Sequence, residues 1–128
     1  MLDYLSVQVD TRFVYSIETP EGPQMYPAHW WVGTTNRVRV RNLRDPATQA
    51  YVNDATVTGR VIGPAGEVVA AGISFAYITG SDGIYVGDIP AATALVDGAN
   101  YTLEITAVKG TDVVVIRLTR QAAYRGEA

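Results

Sequence analysis

The 128-residue chain has no cysteine, one histidine and one lysine, and each shortage excludes a kind of site. Without cysteine there is neither a disulfide framework nor a thiolate metal site, so the core has to form by ordinary apolar packing. A single histidine, His29, excludes metal sites built only from imidazoles. No stretch approaches the roughly 20 apolar residues of a membrane span, and the start lacks the basic segment of a signal peptide. We therefore expect neither a membrane-spanning nor a classically secreted chain.

The formal net charge is -3 at pH 7. A negative molecule has no field that attracts phosphate backbones, so nucleic acid is not an expected partner. Valine, isoleucine and threonine are frequent while leucine is scarce, a bias that suits pleated, half-buried strands. The length is that of one domain. Composition therefore predicts a single, strand-rich domain.

Alternation of apolar and polar residues with a period of two predicts strands that each bury one face. The pattern is clearest in two runs near the end, for which residues 109–112 are the predicted hairpin loop. The core residues that this phase predicts are Val57, Phe75, Ile84, Leu103, Ile105, Val114 and Ile116.

Turn residues separate the strand runs, and the one helical competitor, residues 90–95, is too short to change the class. About eight or nine short strands with no substantial helix predict an all-β sandwich or barrel. We expect one domain over residues 1–128, with a core over 35–120 and a tail over 121–128. Residues 1–34 are either extra strands or an N-terminal arm that pairs with a neighbouring subunit.

Two tryptophans follow His29 directly. On a strand, Trp30 and Trp31 point to opposite faces, so one is expected in the core and the other exposed or covered by a loop or partner. The exposed ring would serve an interface or stack on a ligand. No nucleophile motif accompanies His29, which predicts a structural or surface histidine.

Three arginines, Arg37, Arg39 and Arg41, alternate with Val38 and Val40, so a strand would present all three along one face. We call these three residues the arginine row. The simpler interpretation is a solvated strand that is guarded by charge against edge-to-edge aggregation. The sharper one is a docking surface for an acidic partner, because arginine pairs carboxylates in a bidentate geometry.

Three aspartates, Asp82, Asp88 and Asp97, fall in or near predicted turns, where loop oxygens can bind calcium. No spaced ligand pattern such as an EF-hand accompanies them, and aspartate is common in turns. No pair of carboxylates stands out as catalytic. The sequence therefore predicts no catalytic residue, no cofactor and no metal site.

Short motifs within residues 53–124 resemble those that mark successive strands of immunoglobulin-like and transthyretin-like sandwiches. They are Asp-Ala-Thr-Val at 54–57, Gly-Ile-Tyr-Val-Gly at 83–87 and Gly-Ala-Asn-Tyr-Thr-Leu at 98–103. In particular, this segment is similar to the small β-sandwich virion proteins encoded near the capsid genes of tailed bacteriophages. The resemblance implies an immunoglobulin-like antiparallel sandwich.

The same resemblance implies a phage structural protein, a capsid decoration or head-associated component made in the bacterial host cytoplasm and located in the virion. Its expected partners are capsid or other virion proteins, with no nucleic acid and no membrane. The open edges of a sandwich add the expectation of a homo-oligomer. The alternative is a carbohydrate- or surface-binding accessory module. In either case the chain is not an enzyme, and the candidate partner-binding residues are Arg37, Arg39, Arg41, Trp30 and Trp31.

Overall fold

The structure, a computed structural model, describes residues 14–18, 29–45, 48 and 50–124. These residues form strands and loops without a helix, which confirms the all-β class. The same residues therefore contain no helix long and apolar enough to cross a membrane. The strands are β1 (Val14–Glu18), β2 (His29–Trp31), β3 (Asn36–Arg44), β4 (Thr56–Ile62), β5 (Val68–Tyr77), β6 (Tyr85–Ile89), β7 (Asn100–Lys109) and β8 (Asp112–Ala123).

The eight strands of the described residues form one continuous sheet in the order β1-β3-β6-β5-β4-β7-β8-β2. Strand β5 joins its two halves, because its first part pairs with β4 while Ala76 and Tyr77 pair with β6. Neighbouring strands are antiparallel except β2 and β8, which are parallel. Two segments of the predicted arm region, β1 and β2, thus pair with strands of their own chain, and residues 1–13 and 19–28 lie outside the described residues.

Asn36 connects the edge strand β2 to β3, so that the sheet nearly closes on itself. The side chain is fully buried. Its Oδ1 accepts a hydrogen bond from Trp31 N at 2.9 Å, and its Nδ2 donates to Trp31 O at 3.0 Å and to Thr34 O at 3.1 Å. A buried amide whose groups are satisfied in this way fixes the turn between the two strands.

Apolar side chains on the inner face of the sheet form one core. Six of the seven predicted core residues are buried, namely Val57, Phe75, Leu103, Ile105, Val114 and Ile116. The phase of the strands that carry them, β4, β5, β7 and β8, is therefore confirmed.

The prediction for Ile84 is wrong, because β6 begins at Tyr85 and Ile84, which precedes it, is only half-buried. Tyr85 takes the inward position and is fully buried. Its hydroxyl donates to Val52 O at 2.6 Å and accepts from Ala55 N at 3.1 Å. The hydroxyl thereby satisfies two backbone groups of the segment that leads into β4. Isoleucine at this inward position could not make either hydrogen bond.

The core also extends beyond residues 35–120. Trp30 and Ala122 are each 1% exposed, and β8 continues to Ala123, within the predicted tail. The reason is the parallel pairing of β2 with the end of β8, which aligns Trp30 with Ala122. Only residues 125–128 of the tail lie outside the described part of the chain.

Two glycines make room for the ring of Phe75 on β5. A Cβ atom at Gly59 on β4 would lie 2.9 Å from this ring, and one at Gly87 on β6 would lie 2.8 Å from it. Real Cβ atoms do not approach so closely, so a side chain at either position would displace the ring. Small residues on both neighbouring strands therefore let Phe75 pack close to the backbone.

A buried tyrosine fixes the entrance to β7. Tyr101 is 3% exposed, and its hydroxyl accepts a hydrogen bond from Val96 N, five residues upstream, at 2.8 Å. Its carbonyl accepts from the indole Nε1 of Trp30 at 3.0 Å. This one residue therefore holds both the loop before β7 and the edge strand β2.

Candidate partner-binding surfaces

The arginine row lies on β3 and is directed away from the core, as the alternation predicts. Val38 and Val40, which separate the arginines, are fully buried. Arg37 is exposed, while Arg39 and Arg41 are half-buried. The structure thus brings the three arginines to one outer face.

Arg37 forms an ion pair with its cross-strand neighbour Asp88 on β6. Nε lies 2.9 Å from Oδ1 and Nη2 lies 3.3 Å from Oδ2, which is the bidentate geometry. The hydrogen bond to Asp88 raises the pKa of the Arg37 guanidinium. Because the pair is exposed to solvent, it adds little to stability. It does, however, occupy the edge of Arg37 that an external carboxylate would use.

The middle of the arginine row lies between two strands. In the ladder Arg39 is aligned with Val86 of β6 on one side and with Glu18 of β1 on the other. Arg41 is aligned with Ser16. Arg39 is therefore the middle residue of the arginine row and has a paired strand on each side.

The row ends at an irregularity in β3. Asn42 has a φ of 57°, in the left-handed region that asparagine adopts more readily than most residues. After it Leu43 is buried and Arg44 is half-buried, so the alternation has shifted. The guanidinium carbon of Arg44 lies 6.0 Å from the centre of the Tyr51 ring.

The two tryptophans are separated as expected, one inside and one outside. Trp30 is buried and serves the core, so its ring offers no surface to a partner. Trp31 is half-buried, and its ring lies 5.2 Å from that of His29 at an angle of 37°. The stacking platform on which the carbohydrate-binding alternative depends is thus reduced to Trp31 and surface tyrosines.

Groups that could hold a metal are not assembled among the described residues. Asp88 pairs with Arg37, while Asp82 and Asp97 are exposed in separate loops. No group of three or more His, Cys, Asp or Glu side chains in this part of the chain is arranged to hold an ion.

A second charged cluster, which the sequence analysis missed, lies on the outer face of β4, β7 and β8. Glu104 on β7 is 8% exposed although it points away from the core. Its Oε1 lies 2.7 Å from Arg60 Nε, and its Oε2 lies 2.9 Å from Arg117 Nε and 2.7 Å from Arg117 Nη2. These hydrogen bonds, that of Arg60 first, lower the pKa of the Glu104 carboxyl below its ordinary value of 4.5. We call Arg60, Glu104 and Arg117 the charge ladder.

The ladder arises from strand register. The hairpin that pairs Lys109 with Asp112 also pairs Glu104 with Arg117, so this contact follows from the predicted loop at 109–112. The pairing of Arg60 with Glu104 joins strands that are distant in sequence. No local signal could have revealed it.

A groove of about 440 Å³ opens beside Arg60, where β5 is irregular. Two residues of β5, Ala71 and Gly72, face the single residue Arg60 of β4, which is a β-bulge. Gly72 has a φ of 68°, in the left-handed region that glycine adopts without strain. Thr58 and Thr106 also line the groove, which we call the Arg60 groove.

Exposed valines continue the same outer face onto β8. Val113 is 48% exposed and Val115 is 52% exposed, and both alternate with buried residues of the strand. Val115 is aligned with Thr106, which in turn is aligned with Thr58. The face therefore combines apolar side chains, hydroxyls and the charge ladder.

No protein-family model matches the chain, and no curated protein matches it. Among solved structures, the crystal structure of a DUF4785 family protein from Legionella pneumophila is similar, with a TM-score of 0.51 and 19% sequence identity. The match covers 91% of this chain and 29% of the Legionella protein. At this identity the likeness concerns the fold alone. It indicates that the fold of this chain also occurs as one part of a longer protein.

Proposed function

We propose that this chain is an immunoglobulin-like sandwich that works by binding other proteins, without catalysis, as a component of a tailed-phage virion. The observation that carries the binding role is the outer face of β4, β7 and β8, where exposed valines adjoin a fixed charge ladder. Exposed apolar side chains bordered by polar and charged groups are found at protein interfaces.

Three features of the fold support the immunoglobulin-like part of the proposal. The order β1-β3-β6-β5 corresponds to one sheet of such a domain, and β4-β7-β8 corresponds to the other. Tyr101 has its hydroxyl bonded to the backbone upstream of its strand, as in the tyrosine corner of these domains. The continuity through β5 then means that one strand contributes to both sheets.

The virion role rests on the resemblance of residues 53–124 to small virion proteins of tailed phages. Capsid decoration or another head-associated position is the specific assignment that we propose. In this role the chain binds capsid or other virion proteins and further copies of itself, and it binds neither nucleic acid nor membrane. The arginine row supplies one contact to an acidic partner, since Arg39 and Arg41 add positive charge to one face of an acidic molecule.

The binding role is tested with phage particles from the strain that encodes the chain, stripped of this chain by washing or gene deletion. Wild-type chain should rebind to them, and rebinding should weaken as salt rises, because exposed charges are screened beyond about 8 Å at physiological ionic strength. Arg39→Glu should reduce rebinding while its thermal melting stays close to that of the wild type. Unchanged binding together with a lowered melting temperature would assign the row a structural role. Failure of the wild-type chain to bind the particles would contradict the virion proposal.

A further inference from the structure

The charge ladder is incomplete at one end. Charge alternates across the sheet from Arg117 on β8 to Glu104 on β7 and Arg60 on β4. The next position belongs to β5, where the bulge places Ala71 and Gly72, neither of which carries a charge. The Arg60 groove lies at this position. The alternation of charge would therefore continue with an acidic group on β5, but the residues at that position are uncharged.

Each arginine of the ladder donates its Nε–H to a different oxygen of Glu104, Arg60 to Oε1 and Arg117 to Oε2. Within the described part of the chain, the two terminal nitrogens of Arg60 have no hydrogen-bond partner. The Arg60 side chain is 49% exposed and lines the groove. A guanidinium held by one nitrogen is oriented and still offers an edge with free N–H groups.

We propose that the Arg60 groove binds the carboxylate of an acidic side chain from a partner protein. The hydroxyls of Thr58 and Thr106 line the same groove and can donate to the second carboxylate oxygen or to a neighbouring peptide group. Bidentate pairing with guanidinium is the geometry that a carboxylate favours. The bound acid would complete the alternation that stops at Arg60.

The net charge of the charge ladder favours a ligand group that carries one negative charge. Two guanidinium groups and one carboxylate leave a net charge of about +1, which one carboxylate neutralises. A phosphate dianion would place excess negative charge close to Glu104, which Arg60 and Arg117 already hold ionised. The groove therefore suits aspartate or glutamate better than a phosphate group.

The surroundings favour a protein as the source of that carboxylate. The groove opens onto an exposed sheet face, and the aligned row from Thr58 through Thr106 leads to Val115. Such a face can bury area against a second protein around one central ion pair. This inference rests on the proposed function, and it requires that the partner protein present an aspartate or glutamate side chain to this face.

The test uses the full-length chain, with a hexapeptide of alternating aspartate and serine as the probe. Amide chemical shifts are followed by NMR while the peptide is added, and the matched asparagine–serine peptide and inorganic phosphate serve as comparison probes. We expect the acidic peptide to shift the amides of Gly59, Gly72 and Thr106, and the other two probes to leave them nearly unchanged.

Two variant pairs locate the contact. Arg60→Gln should weaken binding about tenfold, the size expected for one charge-assisted hydrogen bond. Lys109→Gln also removes one positive charge, at the exposed pair with Asp54, and should leave binding unchanged. Ala71→Glu should supply the missing carboxylate within the chain and block the peptide. Ala71→Gln has the same size without the charge and should leave binding intact.

Three results would overturn the inference: shifts confined to the arginine row, tighter binding of phosphate than of the acidic peptide, or equal binding by Arg60→Gln and wild type. Rebinding of the wild-type chain to phage particles separates this inference from the proposed function. If the wild-type chain binds the particles but not the acidic peptide, the groove assignment fails and the virion role stands.

Discussion

Leu103 on β7 is fully buried, whereas Val115 on the neighbouring strand is 52% exposed. We expect Leu103→Ala to lower the free energy of unfolding by about 2–5 kcal/mol, because it removes buried methyl groups and leaves a cavity. Val115→Ala, the matched control, should change it by no more than about 0.5 kcal/mol. Urea denaturation measures both. A Leu103→Ala chain as stable as the wild type would show that the phase of β7 is wrong.

Glu104 predicts a pH dependence of stability. Its pKa in the folded chain is lowered below 4.5 by Arg60 and Arg117, so the folded state favours the ionised form. The stabilisation that this provides is complete above about pH 4.5 and is lost as the pH falls through the lower folded pKa. At pH 7, Glu104→Gln should be less stable than wild type by about 1 kcal/mol, since the side chains of both arginines are exposed to solvent and screened.

The measurement is urea denaturation of wild type and Glu104→Gln from pH 7 down to about pH 3. The difference between the two chains should shrink in the acid range. Asp82→Asn, which removes an exposed loop carboxylate, is the control for the loss of one negative charge. A Glu104→Gln difference that does not depend on pH would mean that the ion pairs contribute nothing to folding.

At the scale of strands and loops, the turn before β7 depends on one hydroxyl. Tyr101→Phe removes the acceptor for Val96 N and should cost about 1 kcal/mol, the usual net value of such a hydrogen bond. The Val96 amide should also exchange faster with solvent. Tyr51→Phe makes the same chemical change at a 42% exposed site and should be neutral. Equal effects of the two substitutions would show that the Tyr101 hydroxyl does not stabilise the turn before β7.

Local pairing is where sequence reasoning succeeded. The β7–β8 hairpin and the inward phase of both strands follow from alternation and from the loop at 109–112, since register in a hairpin is set by its turn. Ile84 was expected in the core in place of Tyr85, because the hydroxyl contacts that hold Tyr85 inward come from a distant loop. The continuity of the sheet through β5 and the Arg60–Glu104 pair are likewise non-local.

The candidate site shows the same division. The outward direction of Arg37, Arg39 and Arg41 was predictable because β3 alternates over that stretch. The Arg37–Asp88 pair was not, since it depends on which strand lies next to β3. Which of Trp30 and Trp31 is buried could not be predicted either, because it depends on the pairing of β2 with β8.

For the whole molecule, we propose a role as a non-catalytic part of a tailed-phage particle. Phage particles produced by the strain that encodes the chain provide the direct measurement. They are purified by density gradient, and the chain is quantified against the major capsid protein by mass spectrometry. We predict a constant ratio between preparations, with more than one copy per particle. Particles that contain the capsid proteins but lack this chain would contradict the proposed virion role.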